Sequence, residues 1–167
     1  HALLADAQGR TRTVIADARR YGSPRYSPDG KRIALEVSSG TSTDVWIFEI
    51  GSGTLERLTT EGASNERAAW SPDGRHLVFR SDRGGAQTTL WLQPADKSGP
   101  ATPLLSVAAK DIWEGFLTRD GNTVVFRTGT VGTADIWYRG LTRDTSTKPI
   151  AATRFTEFAA SLSPDGR

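Results

Sequence analysis

Short apolar runs recur along the 167 residues, and each alternates or nearly alternates with polar positions. Ile33, Leu35 and Val37 enclose Ala34 and Glu36; Leu77 and Phe79 enclose Val78, with Arg80 next; Val124 and Phe126 enclose Val125, with Arg127 next. Period-two runs of aliphatic and aromatic residues predict strands. Each run follows a tight turn: YSPDG at 26–30, WSPDG at 70–74 and LTRDG at 117–121, with a fourth copy, LSPDG, at 162–166. The steps between copies are 44, 47 and 45 residues. Pro fixes φ for a β-turn, the Asp carboxylate accepts from nearby backbone N–H groups, and Gly supplies a positive φ. The third copy has Thr118-Arg119 in place of Ser-Pro, which predicts a less rigid corner.

The repeat is wider than the turn. An apolar residue precedes every copy at a constant distance: Val14, Leu58, Leu105 and Ile150. After the turns come DVWIF, TLWLQ and DIWYR, whose Trp46, Trp91 and Trp137 are 45 and 46 residues apart. A period in the mid-forties with four short strands per unit is the sequence signature of propeller blades. The predicted strands are 24–27, 31–37, 44–50 and 55–59, then 67–71, 76–81, 88–93 and 101–106, then 114–118, 122–127, 134–139 and 147–152. Residues 1–20 read as the last two strands of an earlier blade and 156–167 as the first strand of a later one, about fifteen strands in all. The expected fold is all-β: a β-propeller of four-stranded antiparallel blades, about three of them full (21–64, 65–110, 111–155) with partial blades 1–20 and 156–167 at the ends.

The order of turn, apolar strand, D-x-W strand and L-T resembles the TolB-like β-propeller repeats, relatives of the WD-repeat propellers. The residues that carry the resemblance are Ser71-Pro72-Asp73-Gly74, Asp44-Val45-Trp46, Asp135-Ile136-Trp137 and the LTTEG of Leu58 to Gly62, and the likeness spans nearly the whole chain. It implies a bacterial interaction platform. Two settings follow from it: the periplasmic TolB proteins of the Tol–Pal envelope system, and sensor or scaffold regions attached to bacterial Ser/Thr kinases. An extracytoplasmic, periplasmic location follows from the first.

Composition narrows the chemistry. There is no Cys, so disulfides and thiolate metal sites are excluded. There is no Met, and the chain starts in mid-blade, so it reads as a piece of a longer protein. No apolar run is long enough to span a membrane. Twenty-one basic and 19 acidic residues give a net charge of +2 with the signs interspersed, whereas nucleic-acid binding requires a basic stripe.

Catalytic patterns are missing from the sequence. It has no G-x-S-x-G elbow, no H-E-x-x-H and no phosphate-cradling loop. His76, at the start of a strand, reads as an ordinary surface residue. Asp29, Asp73, Asp120 and Asp165 belong to the turns; Asp44 and Asp135 are expected to bond neighbouring backbone or the adjacent blade. Trp46, Trp91 and Trp137 read as packing residues, while Trp113 matches no aromatic in the other repeats. Neither a cofactor nor a metal is expected.

In a propeller the links from one blade's outer strand to the next blade's inner strand gather on one face around the channel. Those links offer Arg20, Glu66, Arg67, Asp111, Trp113, Glu114, Arg154 and Glu157 as a binding surface. The function expected is a non-catalytic binding or scaffold module acting through this face. One alternative is the gating propeller of a prolyl-oligopeptidase-like serine hydrolase whose catalytic domain lies outside this chain. A small-ligand binder or enzyme built from the channel loops is a third reading. An incomplete ring leaves blade edges open, which predicts a protein partner or self-association as a homo-oligomer.

Overall fold

In the computed structural model, residues 2–130 and 132–163 are described. They form fourteen strands and no helix. β1 (Ala2–Ala5) and β2 (Thr11–Ile15) make a two-stranded antiparallel sheet. β3 (Arg20–Tyr26), β4 (Arg32–Ser39), β5 (Ser42–Glu49) and β6 (Thr54–Arg57) form the first full blade. The second is β7 (Asn65–Trp70), β8 (His76–Ser81), β9 (Thr89–Pro94) and β10 (Thr102–Leu105). The third is β11 (Asp111–Leu117), β12 (Thr123–Gly129), β13 (Asp135–Gly140) and β14 (Thr147–Ala151). All three are meanders in sequence order, with each strand antiparallel to the next.

The repeated turn is the corner between a blade's first and second strands, and three copies share one set of bonds. The Ser27, Ser71 and Thr118 hydroxyls donate to Asp29, Asp73 and Asp120 at 2.5–2.6 Å. The same hydroxyls accept from the backbone N–H of Arg32, His76 and Thr123 at 2.9–3.2 Å. Gly30, Gly74 and Gly121 sit at φ near 70° and close the turn onto the Ser27, Ser71 and Thr118 carbonyls. Thr118 therefore replaces serine without losing a bond, and the third corner keeps the geometry of the other two. These hydroxyl bonds hold the three Asp carboxyls below their ordinary range. Of the fourth copy, Pro164, Asp165 and Gly166 lie outside the described residues.

The second strand of each blade is buried on both sides, so Ala34, Val78 and Val125 are covered as fully as their alternating partners. The cores lie between blades rather than within them. Ala34, Val45 and Ile47 of the first blade meet Ala68, Leu77 and Phe79 of the second. Val78 and Leu90 of the second meet Ile112, Val124 and Phe126 of the third. Ile33, Leu35 and Phe48 meet Ile15 and the β1–β2 pair. Trp46, Trp91 and Trp137 each pack into one of these junctions, as the sequence repeat predicts. Phe79, Phe126, Leu77 and Leu90 are fully buried; each such side chain stabilises the fold by about 1.5–3 kcal/mol.

Before the first full blade the Tyr21 hydroxyl donates to Asp17 within the link itself. The later junctions carry a polar clamp to the preceding blade. Asn65 Nδ2 donates to buried Asp44 Oδ1 at 3.2 Å, which also accepts from the Thr59 hydroxyl at 2.9 Å. Asn65 Oδ1 accepts in turn from Ser81 Oγ at 2.7 Å and Arg83 Nη2 at 3.0 Å. Asp111 Oδ1 accepts from the Thr88 backbone N–H at 2.8 Å and from its hydroxyl at 3.1 Å. At the third junction the Glu157 N–H donates to the Ala134 carbonyl at 2.9 Å, and its carboxylate approaches Asp135.

Inner strands β3, β7 and β11 start three or four residues earlier, or two at β7, than the alternation predicts. Each contains a bulge, between Gly22 and Arg25, Glu66 and Ala69, and Ile112 and Glu114, and a bulge resets the period. Ser23 and Arg67 adopt φ of 46° and 54° there. The expected inner strand of a later blade is not paired into a sheet among the described residues; 152–163 belongs to no strand, bends at 154–155 and turns left-handed at Ala159. Fourteen strands are present among the described residues where about fifteen were expected.

The clamp is expected to show in unfolding. Asn65→Leu keeps the volume but strands Asp44, Ser81 and Arg83, and should lower stability in urea titrations by about 1–3 kcal/mol. Phe79→Ala should cost about 3–5 kcal/mol. An unchanged urea midpoint for Asn65→Leu would remove the clamp from this account.

Candidate functional site

The residues just before each corner converge. Ser23 and Arg25 from β3, Arg67 to Ala69 from β7, Glu114 to Phe116 from β11 and Ala160 to Leu162 from the terminal segment line one open cavity of about 340 Å³. The first three sets lie one to three residues before their corners and the fourth overlaps them shifted by one, and Ala159, at φ 58°, repeats the left-handed turn of Ser23 and Arg67. A bulged inner strand thus turns backbone and side chains toward a shared centre.

Carboxylates fix the bulges. Glu36 Oε1, on β4, accepts the Arg67 N–H of the next blade at 2.8 Å. Glu114 Oε1 accepts the Ala159 N–H at 3.3 Å, again across a junction. Beside them run two charge pairs. Arg80 Nη2 lies 2.5 Å from Glu66 Oε2, and Arg127 Nε lies 3.1 Å from Glu114 Oε1. The second contact is ionic rather than hydrogen-bonded, since buried Arg127 Nε has no acceptor in line. Between the two arginines stands Trp113, with the Arg80 guanidinium 5.8 Å and that of Arg127 5.6 Å from its ring centre. Its indole N–H donates to the Gly129 carbonyl at 3.1 Å, which fixes the ring. At partly exposed sites a cation–π contact contributes roughly 0.5–1 kcal/mol.

The structure therefore brings Glu66, Arg67, Trp113 and Glu114 together and adds three residues that the link loops did not offer: Glu36, Arg80 and Arg127. All three occupy one repeat offset, ten residues past the first residue of their turn, and are the polar members of otherwise apolar second strands. That shared offset was the available signal. Asp111 and Glu157 turn into the junction clamps instead. Arg20 is exposed at the start of β3, and Arg154 stacks on its neighbour Phe155 at 4.9 Å; neither lines the cavity.

The acidic pair at the third junction has a chemistry of its own. Burial first, and then the hydrogen bond and charge of Glu157, hold the Asp135 carboxyl above its ordinary range, with Lys110 opposing. The Thr153 hydroxyl donates to Glu157 Oε1 at 2.5 Å. Among the described residues no group of three or more His, Asp or Glu is placed to hold a metal ion. No helix of the described residues is long and apolar enough to cross a membrane. The charged residues that line the cavity are Arg25, Arg67 and Glu114, and the Glu66–Arg80 and Glu114–Arg127 pairs flank Trp113 beside it.

Comparison with known proteins extends over the same ground. A family model described as the TolB beta propeller domain matches residues 2–167. The Tol-Pal system protein TolB of Francisella tularensis subsp. mediasiatica is 36% identical over 125 residues, 74% of this chain and 28% of that protein. The chain thus spans less than a third of the curated relatives it matches. Among solved structures, TolB from Acinetobacter baumannii superposes with a TM-score of 0.81 at 23% identity, over 98% of this chain and 40% of that one. A puromycin hydrolase superposes with a TM-score of 0.71 at 21% identity, over 93% of this chain and 25% of that one. At those identities the two structures establish the blade fold alone.

The carboxyl pair predicts a pH signature. Asp135 is raised above its ordinary value of 3.8 in the folded chain, so the folded state holds this proton more tightly than the unfolded state. Its contribution is complete below 3.8 and is lost as pH rises through the folded value. Asp29, Asp73 and Asp120 run the other way: their contribution is present above 3.8 and lost as pH falls. Asp135→Asn should therefore gain on the wild type as pH rises from about 3.5 to about 7, read by urea unfolding at each pH. A difference that stays flat with pH would exclude the shared carboxyl site.

Proposed function

The chain belongs to the TolB β-propeller domain family, and from that premise we propose that it works as a non-catalytic protein-interaction module. The interaction surface is the channel rim of Glu66, Arg67, Trp113 and Glu114, backed by Glu36, Arg80 and Arg127. One observation carries the reading: Arg25, Arg67 and Glu114 of successive blades line one open cavity, and the Arg67 bulge and the Ala159 turn are tied across blade junctions by Glu36 and Glu114. Groups held in place before a partner arrives lose little freedom on binding. The rim mixes signs, as the whole chain does, so it suits a partner segment with both charges and an exposed aromatic or aliphatic side chain.

The partner belongs to the Tol–Pal system that names the curated relatives, and the location that goes with it is the periplasm. Self-association is a second mode. Among the described residues β1 pairs with β2 alone, which leaves one edge open to a strand from another copy.

Two measurements test this. Calorimetric titration with a Pal protein of the same organism should show saturable binding that weakens with salt. Arg67→Glu, at an exposed side chain whose backbone bond to Glu36 survives, should weaken it about tenfold, which corresponds to ~1.4 kcal/mol. Binding equal to wild type in both Arg67→Glu and Trp113→Phe would move the interaction off this rim, and no binding to Pal would overturn the Tol–Pal assignment. For the second mode, light scattering should give a mass above the 18.1 kDa of one chain, and a monomer at every concentration would reject it.

A further inference from the structure

The corners of neighbouring blades, at the end of the inner strands away from the links, do not close equally. Between the first and second blades Arg32 reaches across. Its Nη2 donates to the Gly74 carbonyl at 2.6 Å and its guanidinium lies 4.5 Å from the Trp70 ring centre. Glu49 stands 4.0 Å behind its Nε. The first corner packs against the second so closely that a Cβ on Gly74 would lie 3.5 Å from Pro28 Cδ and 3.6 Å from Arg32 Nη2. Gly74 is buried.

One repeat later both halves of this closure change. The residue at the Arg32 offset is His76, and the residue at the Trp70 offset is Leu117. A Cβ on Gly121, the equivalent of Gly74, would meet nothing within 4 Å, and Gly121 is half-buried. A cleft of about 440 Å³ opens between Pro72, Asp73 and His76 on one side and Leu117, Asp120 and Gly121 on the other. Both flanking blades have all four strands, so the opening is not an edge effect.

We propose that this cleft is a docking site for an arginine side chain of a partner polypeptide, which takes the place that Arg32 fills at the first junction. The first junction shows what the corner accepts: a planar cation donating to the corner glycine carbonyl, with its guanidinium over the Trp70 ring. The second junction keeps the glycine carbonyl and the pair of corner carboxylates, but has no cation in the place of Arg32. Asp73 and Asp120 flank the cleft, and the Ser71 and Thr118 hydroxyls keep both ionised. Leu92 and Leu117 supply the apolar wall for the stem. Arg119 also lines the cleft and has a partner of its own; Asp96 adds a further negative charge near His76. Lysine lacks the flat fork that this geometry uses. The site is on the face opposite the channel links and does not depend on the channel-rim reading.

The test is amide chemical-shift mapping on the whole chain with Ac-Gly-Arg-Gly-NH2, Ac-Gly-Lys-Gly-NH2 and guanidinium chloride. The arginine peptide should shift His76, Asp120 and Gly121 saturably, with the lysine peptide weaker by about fivefold or more. His76→Arg supplies the guanidinium internally and should abolish the shifts; Leu117→Trp, which rebuilds the other half of the first junction, should narrow the cleft and weaken them. The absence of saturable shifts at these amides, equal binding of the lysine peptide, or wild-type binding in both variants would overturn the proposal. Guanidinium ion binding as tightly as the peptide would mark a small-cation pocket and overturn it as a docking site.

Discussion

A four-stranded blade of this chain is apolar on both faces, and that single constraint organises everything else. In β4 the run Ile33, Ala34, Leu35 is buried without a break, and β8 and β12 repeat the arrangement with Leu77 to Phe79 and Val124 to Phe126. No such sheet can satisfy itself, so each blade is stable only against neighbours, as in other repeat architectures. The polar clamps follow from the same demand. Where the chain dives from one blade's outer strand to the next inner strand, its buried groups need partners, and the partners lie on the preceding blade. The chemistry of the clamp varies, from Asn65–Asp44 to Asp111–Thr88 to Glu157–Asp135, while the partner's place in the repeat does not.

Function grows out of what the junctions leave over. Once the inner strand is held at both ends, its bulge is free to face the centre, and Glu36 and Glu114 set that bulge from across the junction. The same scaffold gives two different surfaces: a charged cluster with an indole along the bulged inner strands, and a row of hydroxyl–carboxylate corners where those strands end. A fold of this kind hosts many activities, and what differs among them is the set of side chains that converge on it.

Much of this was legible in the sequence because the repeat forces equivalent residues into equivalent roles. The corners, the blade count and the tryptophans of the third strands all follow from spacing in the mid-forties. Thr118 illustrates the limit of reading residue by residue: the hydroxyl mattered and the proline did not. The starts of β3, β7 and β11 were hidden because a bulge breaks period two at Ser23 and Arg67, where side-chain type gives no warning of a left-handed backbone. Arg80 and Arg127 were hidden for the opposite reason, since they sit inside the most apolar strands and look like the outward half of an alternation. Asp111 and Glu157 share the link loops with Arg67 and Glu114, yet turn toward Thr88 and Asp135; direction around a tight link is a property of packing.

The strictly sequential meander has a mechanical consequence. Every ladder joins neighbours in the chain, so the loops that close during folding are short and the entropy lost in closing each is small. Among the described residues no sheet takes a strand from a distant part of the chain, so none has to be torn out when these blades are pulled from one end. The chain yields in blade-sized steps, each releasing one interface while the remaining junctions hold, so resistance to force is set by the weakest interface rather than by the sum of all of them.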